Sequence, residues 1–324
     1  MHLTGQTDQS RHTQRTEDRT GPSGHRGGRI LRLRAGLLPW LFILPALGFY
    51  GLVVIYPSIY SLILSFYSWD GLAVSKKFFV GLDNYSYIFT QDPVFRTAIE
   101  NNFIWTIVSL IVPTTVGLGL ALVLNRKFRG RTLFRGVFYL PFILSNIAVA
   151  EIWNWIYYPG IGFLDSLLHA VGLGSWQLGW LSDPHIALYG ILAAAAWQGT
   201  GAPMVIFLAG LQTIPADSIE AAQVEGAGAW QILIHITLPL LLRETAVVGF
   251  SITLVGALKV FDIIYAMTQG GPADTTQVLG TWMYFQTFVF NSVGEGAALS
   301  WILVLLVTVI AVPYILYMSR RSAV

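Results

Sequence analysis

The chain has 324 residues, 54% hydrophobic and only 11% charged, with a mean hydropathy of +0.61. Soluble domains carry about 25% charged residues, so water is not the main solvent for this chain. Nineteen basic against seventeen acidic residues leave a net charge of +2, too little to attract nucleic acid, and the absence of cysteine excludes disulfides, thiolate metal sites and cysteine nucleophiles.

Residues 1–36 are rich in Arg, Thr, Gly, Ser and Gln, with almost nothing apolar before Ile30. Such a segment cannot bury enough surface to offset its ordering entropy, and it reads as a disordered cytoplasmic tail. The apolar run 37–66 is longer than a signal-peptide core and lacks a cleavage pattern, so it is expected to stay as the first membrane helix. A span needs about 20 mostly apolar residues, and the segments 103–124, 136–156, 186–211, 245–267 and 297–318 meet that length. The fold class is therefore an all-α integral membrane protein of about six transmembrane helices. The membrane domain covers 37–319, and 320–324 form a short cytoplasmic end.

Basic residues set the orientation. Seven lie in the tail (Arg11, Arg15, Arg19, Arg26, Arg29, Arg32 and Arg34) and five between spans two and three (Arg126, Lys127, Arg129, Arg131 and Arg135), while Arg320 and Arg321 close the chain. The opposite side holds Lys76, Lys77 and Arg96 in its first loop, and the loops after spans three and five hold no Lys or Arg. The positive-inside rule puts both termini in the cytoplasm, as an even number of spans requires.

The loop 212–239 between spans four and five is cytoplasmic by this reading, yet it is not basic. It reads as two short helices around a turn: Pro215 suits a first helical position, Asp217, Glu220 and Glu225 favour the helix dipole, and Gly226 and Gly228 permit a sharp reversal before Pro239 opens the next span. Glu220, Ala221, Ala222, then Gly226, and after nine intervening residues Ile236, Leu238 and Pro239 fall at fixed spacings. This pattern resembles the signature loop of the membrane subunits of binding-protein-dependent ABC importers. The resemblance implies that the first helix of the loop sits in a cleft of a separate ATPase subunit. There Glu220 offers a carboxylate, Ala221 and Ala222 allow close packing, and Gly226, followed by Ala227, sets the angle between the halves.

Further stretches resemble the maltose-type sugar permeases of that family: Gly81, Leu82, Asp83, Asn84 and Tyr85 followed by Asp92 and Pro93; Trp180 with Asp183 and Pro184; and Phe261, Asp262 and Tyr265 with Gly270, Gly271 and Pro272. The resemblance runs from about Pro39 to the C-terminus. It implies half of a twelve-helix pore, completed by a second permease subunit and supplied with a sugar or oligosaccharide by an extracytoplasmic solute-binding protein. Glycerol phosphates or another polar solute remain open as the cargo.

Ionisable groups inside spans are candidates for the solute path, because burying them in lipid is costly. Glu151 and Asn154 share a face of span three, and Trp197 and Gln198 on span four add a flat ring and an amide suited to a sugar; Glu151 with its tryptophans also suits an interfacial aromatic belt. Asp262 stands three residues from Lys259, the spacing of an ion pair on one helix. No Gly-x-x-x-x-Gly-Lys-Ser/Thr run exists, so ATP hydrolysis by a phosphate-cradling loop falls to another polypeptide, and no cofactor or metal is expected on this chain. A stand-alone secondary transporter would carry inverted repeats with broken helices, and no clear internal repeat is present. Location reporters fused after Arg129, after Gln223 and at Val324 are expected to read cytoplasmic, and those at Lys76, Gly174 and Ala273 outside. A reporter found outside at Gln223 would remove the loop from reach of any ATPase.

Overall fold

The computed structural model describes residues 42–176, 178–241 and 253–322. The expected tail at 1–36 and the part of the fifth span before residue 253 lie outside these. One compact unit ends at Ser58 and is apolar helix where described; the second starts at Ile59 and holds every site discussed below.

Four helices among the described residues are long and apolar enough to cross a membrane. They are α1 (Phe42–Leu64), α3 (Pro93–Leu124), the run Ala187–Thr213 built from α7 (Ala187–Gly199) and α8 (Gly201–Thr213), and α13 (Val293–Ser322). A fifth candidate is the pair α4 (Arg131–Ile143) and α5 (Asn146–Ile156), which meet at 104° and are followed by the short helix α6 (Phe163–Ala170). The third span expected as one straight helix over 136–156 is therefore broken in the middle. Pro141 lies one turn before the break, Leu144 turns extended, and the Ser145 side chain accepts from Ala148 N at 3.2 Å to start α5 afresh.

Helix α3 begins ten residues earlier than apolarity alone suggests. Asp92 caps it, accepting from Val94 N at 2.9 Å and Phe95 N at 3.1 Å, with Pro93 at the first helical position. The other Asp92 oxygen accepts from Trp282 Nε1 at 2.7 Å, tying this cap to α12 (Leu279–Tyr284). Helix α3 is also the centre of the bundle. Gly117 faces α8 so closely that a Cβ there would lie 2.9 Å from Met204 N and from Pro203 Cβ. Ala121, Leu124, Met204, Phe207 and Leu208 fill the adjoining core.

Two π-turns precede prolines. Gly51–Ile55 ends where Tyr56 N donates to the carbonyl of Gly51, just before Pro57; Leu233–Thr237 ends where Leu238 N donates to that of Leu233, just before Pro239. A proline ring clashes with the carbonyl four residues back in a regular helix, and the widened turn relieves this while keeping the backbone paired. Pro239 thus lies inside α10 (Ala229–Leu241) and does not open a helix.

A layer of short elements follows the end of α1. Strands β1 (Tyr67–Ser68) and β2 (Phe78–Phe79) pair antiparallel, Tyr67 opposite Phe79, and α2 (Asp83–Thr90) follows. Between the strands Asp70 accepts from Ser75 Oγ at 2.6 Å and Leu72 N at 2.9 Å, and these bonds hold its carboxyl below the usual range. Two adjacent amides on α3 fasten the stretch 258–279. Asn101 Nδ2 donates to the carbonyls of Thr275 and Gln277, both at 2.8 Å; Asn102 Nδ2 donates to that of Leu258 at 2.9 Å, while its oxygen accepts from Leu279 N at 2.8 Å. One buried side chain therefore clasps both ends of the stretch 258–279. Asn102→Ala strands a buried carbonyl and a buried N–H, and is expected to cost about 2–4 kcal/mol. The check is a lower unfolding temperature in detergent together with faster amide exchange across 258–279.

Candidate functional site

Two sites are built on this frame, a cleft inside the bundle and a hairpin at the end of α8. The cleft has a volume of about 390 Å3 and lies where two helices break. At the α4–α5 break, the carbonyl of Leu144 has no helical partner, and Gln198 on α7 donates Nε2 to it at 2.9 Å. At the second break, Lys259 N and Val260 N bond to carbonyls only three residues back, and a new helix, α11 (Asp262–Thr268), starts after Phe261. Asp262 in the first turn of α11 accepts from Asn146 Nδ2 at 3.2 Å, which bridges the two breaks. The walls include Trp105, Ser109, Thr114 and Phe261, an arrangement of rings, hydroxyls and amides around one space.

The spacing of Lys259 and Asp262 assumed one continuous helix. The interruption between them removes that geometry, and among the described residues the single ion pair is Arg96 with Glu100 on α3 at 3.0 Å. Lys259, Asp262, Asn146 and Gln198 line the cleft together. Glu151, Asn154 and Trp197 do not line it. Glu151 is exposed on α5, Asn154 is half-buried with its Oδ1 unpartnered, and Trp197, 40% exposed, packs edge-on against Trp153 at 5.9 Å and faces an apolar side groove.

The hairpin consists of α9 (Ala216–Val224) and α10. Pro215 stands one position outside α9, as its cap, and not at the first helical position. The reversal has a specific closure: Gly226 N donates to the carbonyl of Gln223 at 3.0 Å and Ala227 N to that of Ala222 at 2.9 Å, with Gly226 at φ +86°. This is the double bond pattern of a Schellman C-cap, and it brings Ala227 over Ala222. Ala222 is buried and Ala227 half-buried, so their small size serves the turn itself, while Ala221 and Glu220 face outward. Gln231 Oε1 then accepts from Gly228 N at 2.8 Å and starts α10. Farther along, Ile236 and Leu238 are half-buried and Pro239 exposed. Val224 is 89% and Trp230 71% exposed, large apolar surface at the tip of a hairpin.

Residues 113–321 match the family described as binding-protein-dependent transport system inner membrane component. The chain belongs to this family. As a permease it is 38% identical over 284 residues to the probable ABC transporter permease protein PH1215 of Pyrococcus horikoshii, covering 87% of this chain and 95% of that one. It is 34% identical over 277 residues to the lactose transport system permease protein LacF of Rhizobium radiobacter, with 84% and 91% covered. Its fold is similar to a chain in the crystal structure of a bacterial alginate ABC transporter in complex with alginate pentasaccharide-bound periplasmic protein, with a TM-score of 0.74 over 90% of this permease and 97% of that chain, at 23% identity.

Sequence reasoning passed over Asn146 and the Asn101–Asn102 pair of this permease. The signal was there: amides in otherwise apolar segments are as much in need of a partner as charges are. For the hairpin, Gly226→Val forces a β-branched residue into the left-handed region at a cost of about 1–3 kcal/mol. Amide exchange across 222–232 is expected to rise in that variant while the α3 amides keep their protection. Gly228→Ala, at an extended φ of −71° with its Cβ no closer than 3.7 Å to Gln231 Oε1, is expected to change neither.

Proposed function

We propose that this permease forms half of the translocation pore of an ATP-driven importer for a sugar or oligosaccharide, with the cleft as its solute path and the 212–239 hairpin as its docking element for a separate ATPase. The observation that carries the reading is the hairpin itself, which follows an apolar span directly and presents Glu220, Val224 and Trp230 outward on a turn locked at Gly226. Large exposed apolar groups beside a carboxylate suit a protein partner better than water. Charge placement supports a cytoplasmic position for this hairpin and for both termini. The chain lacks a phosphate-cradling loop, which supports a non-catalytic role here and ATP hydrolysis on the partner.

Sugar as the cargo is supported by the lactose permease among the relatives and by the cleft's chemistry. Rings with amide, hydroxyl and carboxylate groups match a polyhydroxylated solute, which offers apolar faces edged with donors and acceptors. A second permease subunit to complete the pore and a solute-binding protein to deliver the cargo complete the proposed assembly.

The test is uptake in a deletion strain across a panel of sugars, oligosaccharides and glycerol phosphates, with the chain or its variants restored. Gln198→Ala and Asp262→Asn are expected to raise the half-saturating solute concentration by about fivefold, the equivalent of roughly 1 kcal/mol of binding, with the chain still present in the membrane. Glu151→Ala, outside the cleft, is expected to leave it unchanged. Restored uptake of glycerol phosphates but of no sugar would overturn the cargo, and uptake that persists without ATP would overturn the importer.

A further inference from the structure

A second cavity system lies outside the cleft, along the side of the bundle. An apolar groove of about 560 Å3 is lined by Val116, Leu120 and Val123 of α3, Phe134 and Phe138 of α4, and Phe128 between them. It shares Val116, Leu120 and Phe138 with another apolar recess of about 550 Å3 that reaches Val112 and Trp197, so the two form one channel. From Val112 to Leu124 the channel follows α3 for about 18 Å, slightly more than half the roughly 30 Å hydrocarbon layer, the depth of one leaflet. Gly119 leaves the floor open, and a Cβ there would meet nothing within 4 Å.

Charge is confined to one end of the channel. Phe128 stands between Lys127 and Arg129, with Arg126 next to them, and all three cations are exposed. No carboxylate among the described residues pairs with them. Arg131 and Arg135 continue the cluster onto α4; Arg135 donates Nη2 to the carbonyl of Leu124 at 2.8 Å, and its buried Nε has no partner among the described residues. The positive-inside rule asks only for charge on this side. It does not ask for a leaflet-deep apolar channel that ends at the charge.

We propose that this channel is a binding site for one anionic phospholipid, with an acyl chain along Val116, Leu120 and Val123 and the phosphate among Arg126, Lys127 and Arg129. Charge complementarity selects this occupant: the opening is cationic with no carboxylate paired to it among the described residues, the groove beside it is apolar, and basic pockets at the cytoplasmic face suit anionic headgroups. A neutral lipid fills the groove but leaves the cations without a counter-charge.

The experiment uses the whole transporter containing this chain, purified in mild detergent and analysed by native mass spectrometry and lipid extraction. About one phosphatidylglycerol per copy of this chain is expected to survive exchange into fresh detergent, with no matching retention of phosphatidylcholine added as a competitor. Two independent changes are expected to lower that retention about fivefold or more at unchanged chain level and unfolding temperature: Gly119→Leu, which fills the groove, and the combined Arg126→Gln, Lys127→Gln and Arg129→Gln, which removes the counter-charge. Equal retention in either variant overturns the site. So does a photocrosslinker at position 123 that captures another subunit and no lipid, since the groove is then a protein interface.

Discussion

Hydrocarbon offers no hydrogen bonds, so every backbone N–H and C=O at membrane depth has to find its partner within the protein. This constraint explains the polar residues of the chain better than any catalytic scheme does. At several departures from regular helix among the described residues, a side chain or an altered turn restores the pairing. Gln198 takes the carbonyl freed at Leu144, Asn102 takes that of Leu258, Asn101 holds the carbonyls of Thr275 and Gln277, and π-turns precede Pro57 and Pro239. The cleft follows from the same rule. Broken helices at 144–145 and 259–261 open a space, and the groups that mend the breaks become its polar lining.

What was legible in the sequence is what local rules decide. Apolar length located α1, α3, the α7–α8 run and α13, and the hairpin was visible because its turn depends on neighbours in sequence: Ala222, Gln223, Gly226 and Ala227 close one C-cap among themselves. The breaks were not legible. Pro141 signals a disturbance, but whether the helix bends gently or turns by 104° depends on Gln198, 54 residues away, reaching the exposed carbonyl. The same holds for Asp262, whose partner Asn146 lies 116 residues off and whose assumed partner Lys259 is separated from it by an interruption that no local propensity announces. The early start of α3 was missed for a simpler reason. Apolarity cannot see the polar first turns that Asp92 caps, although Asp followed by Pro is a helix-start signal in its own right.

Within the hairpin, small residues divide their work in a way that the bare motif conceals. Ala221 and Ala222 are adjacent, yet one faces out and the other is buried under the turn. A larger residue at 222 would press on Ala227 and on the Schellman closure before it met any partner. A larger residue at 221 would alter only the outer face. The motif therefore combines a folding requirement with a surface requirement, and substitutions at its positions separate the two.

The hairpin and the cleft are joined by one short stretch of helix. Only Ile214 and Pro215 separate α8 from α9, and the proline fixes its own φ at −61°. Above that junction α8 rests against α3 at Gly117, which contributes no side chain to the contact, and α7 continues the same apolar run to Gln198 at the edge of the cleft. Close-packed interfaces of this kind shift as bodies and do not stretch. The step in the run is Thr200, whose hydroxyl bonds back to the carbonyl of Ala196 at 2.6 Å. A load applied to α9 would pass along α8 and α7 to the bond from Gln198 to the carbonyl of Leu144, which together with the bond from Asn146 to Asp262 holds the broken helix pair at the cleft.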